Sequence, residues 1–275
     1  MFSRRVISAI FLAGAAALAN ADDHSTGSLV KVMSAEEVEW GYLNPLRGAL
    51  SPGAADLWGD RTGGSATGML VRFKKGFESP PHIHNITYRG IVIEGLMHND
   101  DPSAAKMWMP PGSFWTQPAG EDHTTAANGE TNLIYLEIDS GPYLVMPSDE
   151  QFDNGERPLN LHADNMVWQD NSDLYSIQAD KAEATQLWRS TANMNGSMIK
   201  LNAGFKGELT TEASEFRAVV IGGEISYGAR GLDKPKLLEA GSYIESTGDY
   251  THQFVNNSDG EVTIYIRTDG RYTVQ

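Results

Sequence analysis

Residues 79–95 read Ser79-Pro80-Pro81-His82-Ile83-His84-Asn85-Ile86-Thr87-Tyr88-Arg89-Gly90-Ile91-Val92-Ile93-Glu94-Gly95. Residues 88–94 form a short run rich in β-branched and aromatic side chains, which reads as a strand. His82 and His84 are one residue apart, so on an extended chain both imidazoles project to the same face. Pro80 and Pro81 hold the approach extended, while Gly76 and Gly95 allow turns at either end. Further on, Gly112-Ser113-Phe114 and Pro118-Ala119-Gly120 precede His123. A third imidazole from a neighbouring strand would complete a facial set of three nitrogen donors.

The same pattern recurs. Sliding the chain over itself by 128 to 130 residues pairs Trp40 with Trp168, Trp58 with Trp188 and Gly68 with Gly196. Gly76-Phe77 falls on Gly204-Phe205, Tyr88-Arg89 on Phe216-Arg217 and Gly95 on Gly223. Gly112-Ser113-Phe114 meets Gly241-Ser242-Tyr243, His123 meets His252, and Tyr135 meets Tyr265. Such an ordered series of rare residue types marks a tandem duplication. Strand-like runs at 69–73, 88–94 and 133–138 have counterparts at 198–201, 216–221 and 262–266. Turn formers such as Pro110-Pro111-Gly112, Asn128-Gly129 and Asp259-Gly260 bound them. Ser34-Ala35-Glu36-Glu37 can cap one helical turn, but no long amphipathic pattern appears. The expectation is an all-β chain: one unit over 30–145, a polar connector at 146–160, and a second unit over 161–275.

Composition narrows the chemistry by exclusion. The 275 residues include no cysteine, which removes disulfides, thiolate metal sites, iron–sulfur clusters and cysteine nucleophiles. A net charge of −15 argues against nucleic-acid or anionic-membrane partners, which need a basic surface. No G-x-S-x-G elbow, P-loop or H-E-x-x-H motif is present.

The N-terminus reads as an export signal. Arg4 and Arg5 precede an apolar run at 6–18, and Ala19-Asn20-Ala21 is an A-x-A cleavage site. Cleavage after Ala21 would remove two arginines and give a mature charge of −17. Ser3-Arg4-Arg5-Val6-Ile7 also resembles a twin-arginine signal, with a general secretory signal as the equal alternative. Either route leads to a periplasmic or secreted protein without a membrane span.

His82-x-His84, Gly95, Gly112, Pro118-x-Gly120 and His123 resemble the two motifs of the cupin superfamily. Within it, the chain is similar to exported bicupins of the domain-of-unknown-function kind, over almost all of residues 38–270. The resemblance implies tandem double-stranded β-helix (jelly-roll) barrels, frequent homodimers, and a divalent metal held by His82, His84 and His123. One position departs from the pattern. Where cupins usually carry a ligand glutamate, four residues after the second histidine, this chain has Tyr88. The site therefore resembles the three-histidine cupin dioxygenases, which use Fe, although Zn or Mn also accept such donors. Tyr88 is the candidate acid or hydrogen-bond donor, with ring packing as the plainer reading.

The second copy serves as an internal control. The sequence offset places Thr210 at His82 and Glu212 at His84, with His252 retained, so a metal-free structural copy is expected. Arg89 recurs as Arg217, which favours a structural ion pair. Asn128 and Asn257 read as turn formers, and the repeated tryptophans as core or inter-copy packing. His98 and Glu94 are candidates for a fourth ligand or supporting acid. Trp108, Phe114 and Trp115 give the first unit an aromatic surplus that suits a small organic ligand, with core packing as the default reading. Two functions follow: a metal-dependent enzyme with open coordination positions, or a non-catalytic binding or sensing protein with a closed shell. Open positions favour the first, and a fourth protein ligand the second.

Overall fold

Short alternating runs separated by glycine and proline leave little choice but strands, and the computed structural model, which describes residues 30–275, is built from them. Among the described residues are twenty-three strands and four short 3-10 turns. The cap expected at Ser34 forms: the Ser34 amide donates to the Glu37 carboxylate at 2.8 Å, opening the turn Ala35–Glu37. The expected signal at 1–21 lies outside the described residues.

The duplication is visible in the sheet order. One seven-stranded sheet runs Leu159–Leu161, Phe114–Gln117, Tyr88–Glu94, Thr131–Ile138, Thr67–Lys74, Gly53–Trp58 and Gly41–Tyr42. A six-stranded sheet runs Val30–Met33, Tyr243–Ser246, Phe216–Gly222, Val262–Thr268, Asn195–Leu201 and Ala182–Arg189. The first six positions correspond, strand for strand, at the offset read from the sequence.

The outermost strands of the two sheets are exchanged. Val30–Met33 opens the first unit, yet it pairs antiparallel with Tyr243–Ser246 of the second. Reciprocally, Leu159–Leu161 pairs with the first unit's Phe114–Thr116. The segment expected as a plain connector thus carries structure at both ends, because Val145–Pro147 also pairs with His82–His84. Exposed ladder edges are satisfied by these additions.

Aromatic residues hold the two sheets face to face. A shared apolar cluster takes Trp58, Leu70, Ile91, Phe114 and Tyr135 from one copy and Met198, Val219, Tyr243 and Tyr265 from the other. The Arg89 guanidinium lies 3.7 Å from the Trp188 ring centre, and Arg217 lies 4.1 Å from that of Trp58. Arg89 also pairs with Asp139 at 2.9 Å, so the structural role expected for it holds. The repeated glycines now have a reason. A Cβ on Gly68 would sit 2.1 Å from Trp58 Nε1, and one on Gly196 would sit 1.9 Å from Trp188 Nε1.

Candidate metal centre

Backbone pairing brings the three histidines together. His82 and His84 lie on the strand His82–His84, and His82 forms a two-way backbone bridge with His123, with N–O distances of 3.1 and 3.0 Å. All three rings are buried, with centroids 4.2 to 5.2 Å apart. One ring nitrogen from each lies within 4.8 Å of the other two. Among the described residues this is the one group of three or more metal-ligating side chains so arranged.

The backbone also sets which nitrogen faces inward. His82 Nδ1 is 2.9 Å from the Pro80 carbonyl, His84 Nδ1 is 2.9 Å from that of Leu144, and His123 Nδ1 is 3.1 Å from that of Glu121. A carbonyl only accepts, so each Nδ1 carries the proton and each Nε2 presents a lone pair. Outer hydrogen bonds of this kind orient histidine ligands and raise their basicity. Burial lowers all three pKa values; for His84 the neighbouring rings add to it, and His123 is pushed down to about 3. Three buried, neutral, oriented imidazoles are the form in which histidine binds a metal. The donor set fits one divalent ion.

Two phenols reach the inward nitrogens. Tyr88 occupies the position of the missing glutamate, and its oxygen lies 3.3 Å from His123 Nε2. Tyr143 was not anticipated: its ring stacks on His84 at 4.4 Å and its hydroxyl lies 3.2 Å from His84 Nε2. Burial raises the pKa of both hydroxyls, so they stay protonated at neutral pH. The signal for Tyr143 was faint, since its counterpart Tyr272 is also a tyrosine.

The remaining candidates lie elsewhere. Glu94 is exposed and bonded by Thr131 Oγ1. His98 is buried against Trp108, with centroids 6.2 Å apart. Neither belongs to the cluster, so no fourth protein ligand comes from them. Trp115 and Phe114 are fully buried core residues.

In the second copy, register corrects the sequence offset. His252 pairs with Leu209, as His123 pairs with His82, so Leu209 and Thr211 stand where His82 and His84 do. The first copy has one extra residue between Glu78 and His82, at Pro80-Pro81. Glu212 is consequently exposed, and Leu209 and Thr211 face inward. His252 has no free nitrogen: Tyr227 Oη lies 2.8 Å from its Nδ1 and Ser246 Oγ lies 3.1 Å from its Nε2. A cleft of 920 Å³ does open on this copy, lined by Glu212, Arg230, Asp249, Arg271 and Tyr272 among others, but it contains no histidine.

The fold is cupin-like, and the triad within it is a three-histidine candidate metal centre. Residues 31–275 match the family described as Domain of unknown function (DUF4437), and the chain belongs to that family. Several solved structures share the fold. A protein from Nostoc punctiforme named as a candidate dioxygenase superposes with a TM-score of 0.66 at 14% identity, covering 87% of this chain and 82% of that one. Oxalate decarboxylase from Lactobacillus farciminis gives 0.57 at 10% identity, covering 88% and 87%. Salicylate 1,2-dioxygenase from Pseudaminobacter salicylatoxidans gives 0.52 at 11% identity, covering 76% and 75%. At such identities the likeness is one of fold. No curated protein matches the sequence.

Proposed function

We propose that this chain is an exported bicupin metalloenzyme acting on a small organic molecule, with dioxygenase-like chemistry as its class. The observation that carries the reading is the triad itself: three inward Nε2 atoms fixed from behind by backbone carbonyls, with neither Glu94 nor His98 at hand as a fourth ligand. Three protein donors leave coordination positions for substrate and for water or dioxygen, whereas a purely structural site is usually closed. A divalent ion held there would supply Lewis acidity or, as Fe(II), reactivity towards dioxygen.

The chain's own residues supply the rest. His82, His84 and His123 would bind the ion, and the Tyr88 and Tyr143 oxygens would contact whatever shares it. Burial of the triad and of Tyr88, with the half-buried Tyr143 stacked over His84, limits bulk water at the centre. Removal of the signal would leave the acidic chain in the periplasm or outside the cell, as the two-unit protein 30–145 and 161–275, with homodimers expected from the family resemblance.

The test is oxygen uptake by protein loaded with Fe(II), Mn(II) or Zn(II), across a panel of small chelating enols and hydroxy acids. The expected result is uptake with Fe(II) and one substrate class, lost in His84→Ala. Turnover without oxygen consumption, with Zn(II) or Mn(II) alone, would replace the dioxygenase class with metal-assisted carbonyl or hydrolytic chemistry. Metal binding without turnover of any panel member would favour a binding or sensing role.

A further inference from the structure

Behind the triad lies a buried chain of side-chain amides whose polarity can be read from one end. Gln117 Nε2 donates to the Glu121 carbonyl at 3.1 Å, and that carbonyl can only accept. Gln117 therefore turns its Oε1 to Asn99, whose Nδ2 donates to it at 2.9 Å. Asn99 in turn presents Oδ1 to the Tyr88 hydroxyl at 2.8 Å and to the Thr125 hydroxyl at 2.7 Å. An oxygen acceptor there obliges Tyr88 to donate its proton backwards, away from the triad. With the Trp115 indole N–H also directed at the same oxygen, one Tyr88 lone pair is left for the centre, next to the unprotonated Nε2 of His123.

This arrangement is confined to the copy that has the triad. In the register of the second copy, Tyr88, Asn99, Gln117 and Thr125 correspond to Phe216, Tyr227, Ser246 and Phe254. Tyr88, Asn99 and Gln117 are each at most 2% exposed. Buried amides cost stability unless fully paired, and the other copy fills the same space without one. Packing alone does not call for them.

We infer that Asn99, locked by Gln117, is a positioning residue that makes Tyr88 a hydrogen-bond acceptor at the metal centre, so that the centre favours ligands bearing a proton on the atom beside Tyr88. The inference rests on the triad being a metal centre and gives its substrate a chemical requirement: a hydroxyl or enol retained in protonated form, or a water molecule. A proton-free anion at that position meets a lone pair. On this inference Tyr88 accepts at the centre, where the sequence led one to expect a donor.

The test uses Co(II) as the metal and azide as a proton-free ligand, followed by visible absorption. Tyr88→Phe removes the opposing lone pair, so azide should bind more tightly than to wild type, by about tenfold. Asn99→Ala releases the hydroxyl to turn and donate, so azide affinity should rise at least as far. Adding Tyr88→Phe to Asn99→Ala should bring it back to the Tyr88→Phe value, because Asn99 acts through Tyr88. Should Asn99→Ala not fold, Gln117→Met frees the Asn99 amide to flip and carries the same expectation. Weaker azide binding in Tyr88→Phe would show a donor and overturn the inference. So would Co(II)-loaded Asn99→Ala with wild-type azide affinity, which would mark a structural amide. No Co(II) uptake by wild type would instead overturn the metal centre beneath it.

Discussion

A histidine kept in both copies does opposite things in them. His123 has Nδ1 tied to a carbonyl and Nε2 turned towards the triad beside the Tyr88 hydroxyl, whereas His252 has both nitrogens satisfied by hydroxyls outside any such cluster. Burial pushes the His252 pKa down to about 3, well below the ordinary 6.5. The folded state therefore binds fewer protons than the unfolded state between those values. The stability that the neutral ring contributes is complete above pH 6.5 and is lost as pH falls towards 3, at up to about 1.4 kcal/mol per pH unit. His252→Gln should be less stable than wild type at pH 7. It should also show a shallower loss between pH 6.5 and 4, measured as urea midpoints at several pH values. Parallel pH slopes would count against a buried neutral His252. The triad was legible from spacing, because a strand alternates. Asn99 and Gln117 were not, because a lone amide in a sequence carries no mark of whether it is buried or to what it bonds.

Among the elements, strands were readable from β-branched runs and turn residues, but their partners were not. Nothing in Val30-Lys31-Val32-Met33 says that it pairs with Tyr243–Ser246, more than two hundred residues on, since strand pairing is decided by what lies alongside. Lys31→Pro, opposite Glu245, should remove a ladder donor from that strand and lower the stability of the whole chain by about 2–3 kcal/mol, read as a shift in the urea midpoint. An unchanged midpoint would mean that the exchanged strand is dispensable. The one-residue difference at Pro80-Pro81 was likewise hidden: a repeat aligned on rare residues cannot place an extra residue, and one residue decides which side chains face in. Gly68 was noticed only as a repeated glycine. With Trp58 lying over it, Gly68→Ala should cost about 1–3 kcal/mol by overpacking, seen as a lower melting temperature; a neutral effect would contradict that contact.

Across the whole molecule the two copies meet at matching positions that have diverged in charge. Glu137 and Arg267 correspond in the repeat and face one another at 3.4 Å, both nearly inaccessible to solvent. Tyr135 and Tyr265 correspond too, and both donate to the Glu137 carboxylate, at 3.0 and 2.8 Å. An exact duplicate would have set like charge against like; the divergence lets the two faces close. Arg267→Met should cost about 3 kcal/mol in denaturant unfolding by leaving Glu137 underpaired, and adding Glu137→Gln should recover part of it. An additive double variant would show that the pair is not coupled. This interface fixes the frame on which a single triad is held. That triad is the central claim, and metal content tests it most directly. Protein purified from its native compartment, analysed for Fe, Zn and Mn beside the His82→Ala/His84→Ala variant, should hold one divalent ion per chain in the wild type and none in the variant. A metal-free wild type, or equal metal in both, would contradict the account.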